Sequence, residues 1–142
     1  MKAVLKDKLW AYMVINNPDL LFELQKNQTV SNYLEVKMLG VLPVANQMIS
    51  SGEPPYVVEE YCLNLMTEDL KPSMYIYVRS VLEEEFSADY EKFVKTGILV
   101  YEVLNILEGC RAVFEELQFG RDNEDDRHIH YAIIAEIHQY LN

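Results

Sequence analysis

An all-α fold is what this sequence predicts, and three observations carry the prediction. Apolar residues recur at steps of three and four along most of the chain, the period of a half-buried helix. Short polar breaks holding prolines or capping residues separate these stripes. Glycine and proline are few, five of each in 142 residues, which leaves turn-dense β-barrels, collagen-like repeats and glycine-rich phosphate loops poorly supported. The expected architecture is a single-domain irregular helical bundle of about six helices over residues 1–142.

Ala3 to Asn16 reads as an amphipathic helix, with Leu5, Leu9, Tyr12 and Met13 inward and Lys2, Lys6, Asp7 and Lys8 toward water. Asn17 is a good N-cap and Pro18 suits a first helical position, so a short helix over Asp19–Lys26 follows at once. After the polar break Asn27–Asn32, where Ser31 and Asn32 are capping residues, a stripe of Leu34, Met38, Val41, Ala45 and Met48 predicts a helix to about Ser50. Pro43 lies inside it, where a kink or break is expected. Ser50-Ser51-Gly52 ends this segment and Glu53-Pro54-Pro55 starts the next, whose inner face is read as Val58, Tyr61, Cys62 and Leu65.

Lys71-Pro72-Ser73 is the next break, with Ser73 as N-cap for a helix through Tyr75, Val78, Leu82 and Phe86. Met74–Val78 has strand composition as well, but the longer helical period favours helix. Ser87 caps a long segment from Ala88 to about Gln118. There Tyr90, Phe93, Gly97, Val100, Leu104, Leu107, Phe114 and Leu117 keep a near-heptad beat, and Gly97 and Gly109 weaken the helix enough to allow two pieces. Phe119–Asp126 is a loop. A final helix, Arg127–Leu141, presents Ile129, Ile133, Ile137 and Tyr140 on one side, widened by Ile134 and Leu141. No repeat of 20–50 residues is visible. The chain is therefore read as a half over residues 1–86 and a second over 88–142, in which the C-terminal helix packs on the long one.

Several features of the first half recur together: the turn Asn17-Pro18-Asp19-Leu20, the spacing Gly52-x4-Val57-x3-Tyr61-x3-Leu65, Leu70-x2-Ser73, and Val81-Leu82-x3-Phe86 with glutamates before the phenylalanine. Over about Asn16–Phe86 the chain resembles an uncharacterised helical domain-of-unknown-function family of small Bacteroidetes proteins, sometimes encoded near mobile elements. Asp69 and Pro72 depart from the pattern, standing where a glycine and an aromatic residue are expected, and the segment after Ala88 matches poorly. The resemblance implies a helical fold and brings no catalytic residue with it. Its genomic setting implies an accessory or regulatory role in a mobile genetic element, exercised through a DNA-associated partner.

Charge narrows the partners. Twelve Lys and Arg against 23 Asp and Glu give −11, so phosphate backbones and anionic lipid repel the chain unless its cations gather on one face. Lys2, Lys6, Lys8, Lys26 and Lys37 form the only cation-rich region. Neither direct nucleic-acid binding nor membrane association is expected. The N-terminus mixes charges with apolar residues from the start and shows no small-residue cleavage site, and no apolar run approaches the ~20 residues of a membrane span. Cys62 and Cys110 form neither a CxxC pair nor a disulfide framework and are read as buried reduced thiols. The cytoplasm is the expected compartment.

No catalytic set stands out, and no cofactor is expected. The loop Asp122–Asp126 offers carboxylates to a cation, but an EF-hand needs glycine at its sixth position and glutamate at its twelfth, which here are Arg127 and Ile133. The weak metal candidates are Asp122, Glu124, Asp126 and His130; a solvated loop favouring the next helix start is the simpler reading. His128, His130 and His138 lack the four-residue spacing of a helical zinc pair, and Glu83-Glu84-Glu85 reads as a solvated face. Ten of the 16 aromatic residues are tyrosines, which suit half-buried rims and interfaces. A non-enzymatic helical interaction module fits best, either bound to an unidentified protein partner or homo-oligomeric through the stripe of Tyr90–Leu117 and Ile133, Ile134 and Ile137. A small hydrolase using the C-terminal histidines and acids is a further alternative.

Overall fold

Eight helices and one 3-10 turn make up the regular structure of the computed structural model, which describes residues 1–142 and contains no strand. They are α1 (Lys2–Asn16), α2 (Pro18–Lys26), α3 (Val30–Ser50), α4 (Pro55–Thr67), the turn Glu68–Leu70, α5 (Met74–Glu85), α6 (Ser87–Lys95), α7 (Leu99–Glu116) and α8 (Arg127–Leu141). The all-α class holds. The count of about six does not, chiefly because the long segment from Ala88 divides at Gly97, whose φ of 73° is left-handed and stops α6. That break resets the helical phase: Val100 turns outward, and Val103, Ile106 and Cys110 take the inner positions.

The chain forms two compact units, Met1–Lys71 and Pro72–Asn142. The boundary falls where local chemistry demands it: Lys71 is extended (φ −109°, ψ 138°), as the residue before a proline prefers.

In the N-terminal unit α1 packs on α3 and α4, and α2 on α1 and α3. Leu5, Leu9 and Met13 meet Met38, Val41 and Ala45 of α3 and Val58, Cys62 and Met66 of α4. Tyr61 and Leu65, expected inside, are exposed; Met66 and Thr67 take the inner positions, and the buried Thr67 hydroxyl donates to the Leu63 carbonyl at 2.8 Å. Helix α3 runs through Pro43 without a break. Pro43 lies on its exposed side, where water can serve the carbonyl that loses its partner. Asn17 stands at the N-cap of α2, yet its side chain makes no cap bond and its Oδ1 is buried without a partner. Ser31 and Asn32 lie inside α3 rather than at its cap, which is Thr29. Ser87 likewise opens α6 from within, the cap position being Phe86.

In the C-terminal unit α5 packs on α6, α7 and α8, and α7 on α8. Ser73 caps α5, its Oγ accepting from the Ile76 N–H at 3.1 Å, and Met74–Val78 is helical. The core joins Tyr75, Val78 and Leu82 with Leu107, Phe114, Ile129, Ile133 and Ile137. Ile134 packs partly against it, so the isoleucines of α8 are largely taken up within the unit.

The two units have the same internal plan: a helix, a short helix, a long helix and a return helix. Their joints match in backbone angles. Asn17 (φ −138°, ψ 52°) corresponds to Phe86 (φ −134°, ψ 51°), and each N–H bonds back at 2.9 Å, to Met13 and Leu82. Gln28 and Gly97 hold the same left-handed place (φ 57° and 73°), followed by Thr29 and Ile98 with φ of −116° and −114°. The offset from 17 to 86 equals that from 28 to 97. It also pairs buried Leu9 with Val78, Met13 with Leu82, Met38 with Leu107, Val41 with Cys110 and Ala45 with Phe114. At the ends of α3 and α7 the left-handed residues are Gly52 and Gln118.

Each unit thus places one glycine and one glutamine at its two left-handed positions. A side chain there costs roughly 1–2 kcal/mol in an L-residue. Gln28→Gly and Gln118→Gly are therefore each expected to stabilise the protein by about 1 kcal/mol. Gly97→Ala and Gly52→Ala should lose a similar amount through the backbone alone, since an added Cβ meets nothing within 4 Å at either place. Urea midpoints of the four variants test this.

Candidate functional site

The two units differ most between their third and fourth helices. In the first, residues 51–54 make the connection; in the second, residues 117–126 do. Asn123 organises this longer loop. Its Oδ1 accepts from the Gly120 N–H at 2.8 Å, and its Nδ2 donates to the carbonyls of Leu117 (2.9 Å) and Gln118 (3.1 Å), partnering the orphan end of α7. Asp126 then caps α8 by accepting from the His128 N–H at 2.8 Å, in keeping with the acidic residues expected at that helix start.

The loop, α5 and α8 together enclose an open cleft of about 420 Å³. Its acidic side is Glu84, Glu124, Asp125 and Asp126; its aromatic walls are Tyr77 and Tyr131. Ser80 and His130 complete the polar lining, and Arg127 is its one permanent cation. Tyr77 is held by edge-on contacts with Phe114 (5.8 Å between centroids) and Phe119 (5.0 Å). Burial first, and then the negative fields of Asp125, Asp126 and Glu84, push the Tyr77 hydroxyl above its ordinary range. It therefore stays protonated. His130 Nε2 lies 3.5 Å from Glu85 Oε1 at the side of the cleft.

Beyond the longer loop the offset becomes 71, pairing buried Val58, Cys62 and Met66 of α4 with Ile129, Ile133 and Ile137 of α8. At the places in the N-terminal unit that correspond to Tyr77 and His130 stand Lys8 and Glu59, which meet as an ion pair at 3.8 Å. One unit closes this seam with opposite charges; the other lines it with rings and carboxylates.

Of the metal candidates, Glu124, Asp126 and His130 reach the cleft, while Asp122 is an exposed loop residue outside it. No group of three or more His, Cys, Asp or Glu side chains is placed to hold one metal ion. His128 and His138 are exposed on α8. The run Glu83–Glu85 divides its members: Glu84 lines the cleft, Glu85 faces His130 and Glu83 is exposed. Tyr77, Ser80 and Tyr131 are lining residues that the sequence did not point to. The one available signal was the acidic loop following an apolar stripe.

The lysine-rich region is largely neutralised. Lys6 pairs with Glu35, Lys8 with Glu59 and Lys37 with Asp69 at 2.7 Å.

A second surface is apolar. Val4, Trp10, Val14 and Ile15 are all exposed on α1, Ile15 at 61%, and Phe22 on α2 is 63% exposed. The corresponding positions of the C-terminal unit are charged at four of these five sites: Arg79 for Trp10, Glu83 for Val14, Glu84 for Ile15 and Glu91 for Phe22. The exchange runs the other way at the α6–α7 joint, where exposed Val94, Ile98, Val100 and Tyr101 stand for Gln25, Thr29, Ser31 and Asn32.

Cys62 and Cys110 are both free and buried. Burial, with a smaller contribution from Glu136, pushes the Cys110 thiol up to about 12, and burial raises Cys62 as well. Labelling in native buffer at neutral pH is expected to be slow and to become rapid on denaturation. Between the ordinary thiol value of 9.0 and about 12 the folded chain keeps a proton that the unfolded chain has lost. Stability should hold below pH 9 and fall as pH rises toward 12, a trend that Tyr12, Tyr33, Tyr77 and Tyr140 reinforce because burial raises each of them too. A thermal midpoint that stays level across that range would contradict the shift.

No helix is long and apolar enough to cross a membrane. Set against known protein families, curated proteins and solved structures, the chain matches none.

Proposed function

We propose that the protein is a non-enzymatic helical interaction module whose C-terminal unit receives a basic segment of a partner protein. The supporting observation is the cleft between α5, α8 and the loop 117–126, where four carboxylates and two tyrosine rings converge. Carboxylates attract a lysine or arginine side chain at long range, and ring faces hold it at contact. The surrounding unit strengthens the attraction, since it carries fourteen carboxylates against six Lys and Arg, a net −8. A role beside DNA, through a DNA-associated partner, draws less support from the surface, because three of the five clustered lysines are held in ion pairs.

Fluorescence anisotropy with a labelled lysine- and arginine-bearing peptide tests the reading. Binding should weaken with salt, and the double variant Glu84→Gln/Asp125→Asn should weaken it about tenfold or more, the equivalent of ~1.4 kcal/mol. Binding that ignores both changes, or that an acidic peptide matches, would refute it.

A further inference from the structure

We propose, resting on the cleft as the seat of a basic segment, that His130 gates it by pH: proton uptake by the imidazole expels the segment. His130 is half-buried on α8 and lines the cleft, and its Nε2 lies 3.5 Å from Glu85 Oε1. A neutral imidazole adds no charge there. A protonated one pairs with Glu85 and places a positive charge on the wall that a lysine or arginine must approach. The lining holds four carboxylates against Arg127, a net −3, so the proton removes a third of the charge that draws the segment in. The repeated plan supplies a contrast. Glu59, the corresponding residue of the N-terminal unit, is met by Lys8 of the same unit, and that seam is closed by an internal ion pair. The C-terminal unit has a tyrosine ring in place of the lysine and an imidazole in place of the glutamate, and its seam stays open.

Histidine is the side chain whose ordinary titration falls between pH 5 and 8, whereas carboxylates and guanidinium groups ordinarily hold their charge across that window. From α5 the imidazole faces Glu84 and Glu85, and from the loop Glu124, Asp125 and Asp126. Arg127 and Tyr131 stand beside it on α8, the Tyr131 ring 6.0 Å away between centroids. Helix α7, the other element packed on α8, adds no side chain to the cleft lining. The Tyr77 hydroxyl, raised by burial and by its acidic neighbours, keeps its proton throughout. His128 and His138 are exposed on α8 outside the lining. Through this window the charge of the cleft wall therefore changes at His130 alone. Proton and segment compete, and each weakens the binding of the other by the same factor.

The test uses the full chain and an acetylated lysine- and arginine-bearing peptide without histidine, at constant ionic strength. Its dissociation constant should rise about fivefold from pH 7.5 to pH 5.5, the scale of one charge added beside a partly solvated site. By reciprocity, saturating peptide should lower the midpoint of the His130 imidazole signals in NMR by about 0.7 pH unit, the same fivefold on a logarithmic scale, and move those of His128 and His138 far less. This reading comes from the wild-type chain and depends on no variant folding. His130→Gln, whatever its affinity, should bind equally at both pH values, while His128→Gln keeps the wild-type difference. Equal wild-type affinity at the two pH values, a His130 midpoint indifferent to peptide, or a pH dependence that survives in His130→Gln would each overturn the gate. Binding that stays sensitive to salt and to Glu84→Gln/Asp125→Asn would then leave the cleft reading intact. A peptide that fails to bind at pH 7.5 refutes the cleft reading and the gate with it.

Discussion

Replacing Phe114 with alanine is expected to cost about 3–5 kcal/mol, the range for removing a buried aromatic ring, and to concentrate that loss in the C-terminal unit. Phe114 is 1% exposed and holds Tyr77 and Phe119 in ring contacts. The corresponding place in the N-terminal unit is already an alanine, Ala45, and its neighbours explain why that works there. The N-terminal core holds Met13, Met38 and Met66 where the C-terminal core holds Leu82, Leu107 and Ile137. Unbranched methionine reaches into irregular space; branched leucine and isoleucine do not. Alanine at 114 therefore leaves a hole that its neighbours cannot fill. Amide hydrogen exchange gives the readout: α5–α8 should lose protection while α1–α4 keep theirs. Uniform loss along the chain would show the two cores opening as one and would defeat the expectation.

Asn123→Ala should produce the second large effect, about 2–3 kcal/mol, because one side chain supplies three hydrogen bonds that close the end of α7 and shape the loop. The same change releases Glu124, Asp125 and Asp126 from their places on the cleft, so affinity for a basic peptide should fall with stability. Asn123→Asp separates the contributions. It keeps the acceptor for the Gly120 N–H and removes both donors, and it should fall between wild type and alanine in urea unfolding. If alanine and aspartate behave alike, the donors to Leu117 and Gln118 carry the whole effect; if alanine matches wild type, the loop owes its shape to something else.

Much of the helical layout was legible from single residues with strong local preferences. Pro18 started α2, Ser73 capped α5 and the isoleucines of α8 lay on one side at four-residue spacing. The inner face of α4 is not legible in the sequence, because Tyr61 and Leu65 suit a core as Met66 does, and the packing of α1 and α3 on α4 decides which row is covered. The repeated plan is hidden in the sequence for a related reason. It lies in dihedral angles and in paired core positions such as Ala45 and Phe114, where size is exchanged between neighbours, and few identities such as Gly40 with Gly109 or Lys26 with Lys95 survive to advertise it. The cleft was half visible. Its acidic loop could be read directly, but Tyr77 and His130 lie far apart in sequence and come together only through the packing of α5 on α8.

The confinement of each core to its own 71-residue stretch bears on how the protein is made. Residues Leu5 to Met66 complete one hydrophobic cluster without borrowing a side chain from beyond Lys71. During synthesis at ~5–20 residues per second, the ribosome needs roughly 4–14 s to add the second unit. Helical domains with local contacts fold in microseconds to milliseconds. The first unit has thousands of folding times in which to bury its leucines and methionines before the second core exists, which shields the nascent chain from pairing the wrong apolar stripes.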